Sequence, residues 1–286
     1  MIRFFLFFLF IATNIFPQDE LLDFLDEEPI EPLPVLATFK ATRIVNSQSV
    51  ELPRSKMLEF MVQHRFGTVE NGFYDLFGLD EAAVHYDLKY GLHERLAFGL
   101  GRSSWQKTYD VMAKAKLVRQ TKGQGKAFPL TVVLFSNMGI NALRKDAIIK
   151  DNFANRIRYL QQLIVGRKFN ERISLQVVPT WIHKNLVPTH EDEHNLFSAG
   201  LGGRIMVTRR FSINADISFP LGDRPPDSFK NGWGLGCDIE TGGHVFQLLL
   251  TNARGGYEGA YIEDAGGSMN SGDAFLGFNI TRVFSF

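Results

Sequence analysis

From Asp273 to Phe286 the chain alternates large apolar side chains with polar or small ones. Leu276, Phe278, Ile280, Phe284 and Phe286 share one parity. Gly277, Asn279, Thr281 and Ser285 share the other, with Val283 among them. A period of two belongs to a β-strand with one greasy and one polar face. The alternation is cleanest where Phe211, Ile213, Ala215, Ile217 and Phe219 oppose Ser212, Asn214, Asp216 and Ser218. Twelve such segments follow Lys56, near 56–66, 82–91, 95–105, 109–121, 128–138, 155–168, 172–183, 194–208, 211–219, 232–241, 244–252 and the terminal stretch. The segment near 128–138 is apolar on both faces and fits least well. In a soluble sheet an aromatic last strand is an aggregation-prone edge. In a membrane barrel it has lipid on one side, a polar lumen on the other and no free edge. The pattern therefore predicts an all-β fold, a single antiparallel transmembrane β-barrel of 12 strands.

The connections point the same way. Leu92 to Glu94, Asn170-Glu171, Arg209-Arg210 and Gly242-Gly243 are hairpin-sized, and Lys122 to Lys126 is fairly short. Longer stretches lie near 67–81, 139–154, 184–193, 220–231 and 253–272. Short periplasmic turns and long outer loops are the habit of membrane barrels. The polar parity would then face the lumen, with Glu59, Arg65, Asp87, Lys89, Asp110, Lys114, Lys116, Arg156, Arg158, Arg172, Arg204, Asp216, Asp238 and Glu240. Turned to lipid at mid-depth, such a charge would cost about 2–4 kcal/mol. A soluble sandwich or lipocalin-like barrel also alternates, but leaves the export signal, the aromatic last strand and the connection lengths without a common cause.

That signal is Arg3 followed by Phe-Phe-Leu-Phe-Phe-Leu-Phe-Ile-Ala, too short to span a bilayer as a helix. Residues 1–17 are expected to be a signal peptide, which implies export through the inner membrane, and a β-barrel so exported is expected in the bacterial outer membrane. Residues 18–37 are acidic and proline-bearing and read as a flexible periplasmic arm. Residues 38–55 are polar with β-branched members and fit either a strand at the barrel mouth or a plug in the lumen. Residues 56–286 form the barrel.

Composition adds limits. The 31 basic and 31 acidic residues balance, so nothing in the charge favours nucleic acid. Phe and Gly each number 26, which suits lipid contact and close backbone packing. Cys237, the single cysteine, falls on the apolar parity and reads as a small lipid-facing or packed residue. In the loop 183–194, His190, Glu191 and His194 could ligate a divalent metal, but a solvated charged loop accounts for them better. His64 and Ser103 are hydrolase candidates with nothing to set them adjacent, and there is no Gly-x-Ser-x-Gly turn. No cofactor and no catalytic residue are expected.

The stretches Thr-Phe-Lys-Ala-Thr-Arg-Ile-Val-Asn (38–46), Glu-Phe-Met-Val-Gln-His-Arg-Phe-Gly (59–67) and Gly-Leu-Gly-Arg-Ser-Ser-Trp-Gln-Lys-Thr-Tyr-Asp (99–110) resemble an uncharacterised family of exported Gram-negative outer-membrane β-barrels. The resemblance runs from about Thr38 to the C-terminus. It implies the barrel and the location, and no activity. The expected role is a porin-like pore or binding barrel for a small solute. The alternative is a closed structural or partner-docking barrel whose acidic arm recruits a periplasmic protein, and a membrane-embedded hydrolase is weaker. Expected partners are outer-membrane lipid and the barrel assembly machinery, which would engage the strand ending at Phe286.

Overall fold

β-Branched and aromatic residues alternating with small polar ones give twelve long strands in the protein, described here by a computed structural model. It describes residues 32–123, 126–144, 152–187, 192–222, 230–266 and 273–285. The strands are β1 (Met57–Thr68), β2 (Ala82–His93), β3 (Leu96–Ser103), β4 (Thr108–Val118), β5 (Thr131–Asn141), β6 (Ile157–Lys168), β7 (Ile173–Lys184), β8 (Asn195–Met206), β9 (Phe211–Leu221), β10 (Gly232–Thr241), β11 (His244–Thr251) and β12 (Phe275–Ser285). Each pairs antiparallel with its sequence neighbours. β12 closes the barrel on β1, setting Phe278 opposite His64 and Ile280 opposite Val62. Closure removes the edge that the aromatic last strand would otherwise expose.

The two parities separate inside from outside. Leu100 is 60% exposed on the outer wall, while Gly99 and Gly101 beside it are buried. Tyr86, Leu88, Phe98, Leu201, Leu235 and Leu248 share that exposed outer face. Cys237 is half-buried on the same parity and unpaired. No described helix is long and apolar enough to cross a membrane. Ten of the strands, at 10–12 residues, have the length a tilted transmembrane strand needs, and β3 and β11 have eight residues each.

At one end, the turn end, the connections are 94–95, 119–130, 169–172, 207–210 and 242–243; at the other, the loop end, they are 69–81, 104–107, 142–156, 185–194, 222–231 and 252–274. Two depart from the expected alternation. The loop-end link 104–107 is short, a single 3-10 turn (Trp105–Lys107) packed on the neighbouring 252–274 connection. The turn-end link 119–130 is longer because Thr121–Lys122 forms a small ladder with Leu33–Pro34, holding the N-terminal segment at this end.

Candidate functional site

Residues 37–53 lie inside the barrel. They form a hairpin closed by Ile44 N–H to Ser47 O (2.9 Å) and Ser49 N–H to Thr42 O (2.9 Å). At its tip the amides of Val45, Asn46 and Ser47 all donate to one oxygen of Asp216, at 3.1, 2.7 and 2.8 Å. The Ser47 hydroxyl donates to the same oxygen at 3.0 Å. Buried amides need partners, and the wall supplies a charged one. On the opposite wall Lys89 donates to the Thr42 hydroxyl (2.9 Å) and Lys114 to the Glu51 carbonyl (2.7 Å). Gln176 and Gln247 donate to the carbonyls of Gln48 and Ile44, and Arg204 to that of Ala37.

Apolar contacts complete the seat. Phe39, Ile44, Val45 and Val50 of the hairpin join one buried cluster with Val133, Phe135, Leu160, Ile164, Val178, Ile182 and Leu196 from β5 to β8. One wall of the lumen is therefore greasy, contrary to a uniformly polar interior. Lumen-facing glycines make room. A Cβ at Gly202 would stand 2.4 Å from Ile44 Cδ1, at Gly166 2.8 Å from Val50 Cγ1, and at Gly234 2.7 Å from Val45 Cγ1. A small void against the hairpin, lined by Gln48, Lys89, Met112, Lys114 and Phe135 among others, measures about 10 Å³, room for one water.

From the loop end a second segment folds inward. Residues 252–266 carry the one described α-helix, α1 (Glu258–Ile262), whose residues are all buried. Arg158 and Lys184 reach Glu263 at 3.1 and 3.8 Å. Tyr257 donates to Gln106 (3.1 Å), and burial pushes its phenol up to about 12, so it stays a neutral donor. The two inserts meet at Glu258, which takes Arg43 Nη1 at 2.8 Å and Gln48 Nε2 at 2.7 Å. Arg43 Nε also lies 3.3 Å from Asp87.

Of the residues expected in the lumen, Glu59, Arg65, Asp87, Lys89, Asp110, Lys114, Arg204, Asp216 and Asp238 are buried within the barrel. Lys116, Arg158 and Glu240 are half-buried, with Glu240 paired to Lys40 at the turn end. Two expectations need correction. Arg172 has the right parity but sits exposed in the 169–172 turn, beyond the end of β7. Arg156 belongs to a 3-10 turn (Phe153–Arg156) before β6 and donates to the Asn141 and Leu143 carbonyls at the loop-end rim. Arg43, Glu258 and the greasy wall were not singled out from sequence. The wall's signal was present, in apolar residues on the polar parity of 128–138.

The metal candidates His190 and Glu191 lie outside the described residues. His194 stacks on His183 (6.0 Å) and turns Nδ1 to the Lys184 carbonyl (2.6 Å). Among the described residues no cluster of three or more His, Cys, Asp or Glu could hold a metal. His64 faces outward, stacked on Phe278 at 4.9 Å, away from lumen-facing Ser103. His85 is the histidine opposite Ser103, but its Nε2 is held by Asp87 (2.7 Å), and the Ser103 hydroxyl donates to Gly255 O (2.7 Å). Ser103 is fully buried, so this trio offers a substrate no access.

The family Membrane bound beta barrel domain (DUF5777) matches residues 39–284. A search among curated proteins finds no match. Among solved structures, an outer membrane channel from Pseudomonas putida F1 is 14% identical, with a TM-score of 0.50 over 86% of this chain and 100% of that one. The NanC porin is 10% identical, with a TM-score of 0.47 over 80% and 99%. At such identities the likeness is one of fold. The family match spans most of the chain, hairpin included, and the chain belongs to this family of membrane-bound β-barrels.

Proposed function

We propose that this member of the membrane-bound β-barrel family is an outer-membrane channel closed at rest by its own 37–53 hairpin, passing a small solute only when the hairpin is displaced. The exported leader, the lipid-facing outer wall and the closing strand β12, the segment an assembly factor would engage, belong to the same reading. The observation that carries it is the hairpin seated along the lumen. Burying Phe39, Ile44, Val45 and Val50 contributes roughly 6–12 kcal/mol, at about 1.5–3 per side chain. Spontaneous opening is then rarer than about one part in ten thousand, at about 1.4 kcal/mol per decade. A solute or partner that opens the barrel must favour the open form by a comparable amount.

A second reading, a permanently closed docking barrel, is favoured by the continuity of the hairpin's apolar residues with the wall's own cluster. Planar-bilayer recording of the full chain and of Asp216→Ala separates the two. The channel reading expects a silent native protein and stepwise openings in the variant. Steady conductance from the native protein would contradict closure at rest. Silence from the variant, and from a chain lacking 38–52, would leave the docking barrel.

A further inference from the structure

We propose that Arg43 and Glu258 form a latch between the two lumen inserts, so that the loop-end cap (252–266) must lift before the turn-end hairpin can leave. The proposal rests on the closed-barrel reading above but concerns the order of opening. The inserts enter from opposite ends. The hairpin is tethered near the turns, where Lys40 donates to Arg209 O (2.9 Å) and Arg204 to Ala37 O (3.1 Å). The cap hangs from the β11–β12 loop and is tied at the loop end, where Arg254 pairs with Glu81. Glu263 and Asp264 of the cap take their partners near that rim, from Arg158 (3.1 Å) and from Gln106 (3.2 Å). Glu258 differs. It turns into the barrel, is 1% exposed, and its carboxylate is held by two hairpin side chains, Arg43 (2.8 Å) and Gln48 (2.7 Å).

The pair is asymmetric, and that sets a direction. If the cap lifts, Glu258 reaches water, while Arg43 keeps Asp87 (3.3 Å) and the Asn46 carbonyl (2.6 Å). If the hairpin leaves first, Glu258 loses Arg43 and Gln48 together while the cap still holds it at the loop end of the vacated lumen. Parting a charge from both partners before it is free to move to bulk water is the costlier step, so the cap-open, hairpin-in form is the accessible intermediate. The trigger is thus at the loop end, where something that lifts α1 would free the hairpin. Because coupling is reciprocal, a loosened hairpin also loosens the cap.

The test uses the full chain folded in detergent, with Cys237→Ser and one reporter cysteine at a time, Ser49→Cys in the hairpin (0% exposed) or Ala260→Cys in the cap (1% exposed). Maleimide labelling rates are each normalised to the unfolded chain. In the otherwise native protein the cap reporter should label faster than the hairpin reporter. Glu258→Gln should speed hairpin labelling about tenfold or more, within the range usual for coupled sites. Gln48→Ala keeps the charge pair but removes both the bond to Glu258 (2.7 Å) and the one from wall Lys114 (3.3 Å), so it should act in the same direction, and only the part of its effect that is lost in a Glu258→Gln background belongs to the latch. In a cycle, Arg43→Gln and Glu258→Gln together should give less than the product of the single effects. Hairpin labelling as fast as cap labelling would overturn the order. Hairpin labelling unmoved by Glu258→Gln and Gln48→Ala, or independent effects in the cycle, would overturn the latch. Failure of the channel reading has its own sign, since conductance could be absent from every variant while the labelling coupling persists.

Discussion

Asp216 shows how much of the closed state rests on one side chain. Its Oδ2 accepts from the amides of Val45, Asn46 and Ser47 and from the Ser47 hydroxyl. Asp216→Ala leaves three buried amides without that acceptor, and an unmet buried donor costs about 1–3 kcal/mol. Even the low end, about 3 kcal/mol in total, is two decades in an opening equilibrium. Hydrogen exchange at residues 45–47 should therefore accelerate about a hundredfold in Asp216→Ala, and unchanged protection would show that other contacts hold the tip. At this scale the sequence was legible in part. The parity of Asp216, between Ala215 and Ile217, predicted that it faced inward. That its partner would be the backbone of a segment about 170 residues earlier could not be read, since the amides that receive a carboxylate carry no side-chain signature.

Among elements, the strands were the most legible feature, because lipid outside and a lumen inside impose a period of two on every crossing. The exception is instructive. Segment 128–138 looked ambiguous because Val133 and Phe135 point into the barrel against the hairpin, while Leu134 points out. Inward apolar residues imply something apolar to cover them, and here the hairpin does so. The inward glycines carry the complementary signal of room for an occupant. A Cβ at Gly234 would meet Asn46 Nδ2 at 2.5 Å, Val45 Cγ1 at 2.7 Å and Asp216 Oδ1 at 2.8 Å. Overpacking of this kind costs about 1–3 kcal/mol. Gly234→Ala should lower stability to denaturant by about that much, and the loss should shrink when Val45 and Asn46 are both alanine. An additive result would place the strain within the wall. The connections 104–107 and 119–130 depart from the short-and-long alternation, because each serves an insert, the first packing on the cap and the second pairing with the N-terminal segment.

For the whole molecule, composition and alternation together predicted a twelve-stranded barrel, and the sheet closes as such. Whether residues 38–55 were mouth or plug was not decidable from the chain. A plug for a half-greasy, half-charged lumen must itself mix Phe39, Ile44 and Val50 with Thr42, Arg43 and Gln48, and so resembles an irregular strand. Closure of the barrel depends on where that segment sits, and disulfide trapping tests it directly. Val50→Cys with Gly166→Cys, in a Cys237→Ser background, joins two positions where a Cβ at 166 would lie 2.8 Å from Val50 Cγ1. That closeness suits the Cβ separation of about 3.5–4.5 Å that a disulfide requires. The closed barrel predicts that the membrane-folded protein oxidises to near completion under mild conditions, giving a cross-linked band on a non-reducing gel that reduction abolishes. If both thiols stay free in folded protein, residues 37–53 do not occupy the lumen, and the account of a self-plugged barrel fails.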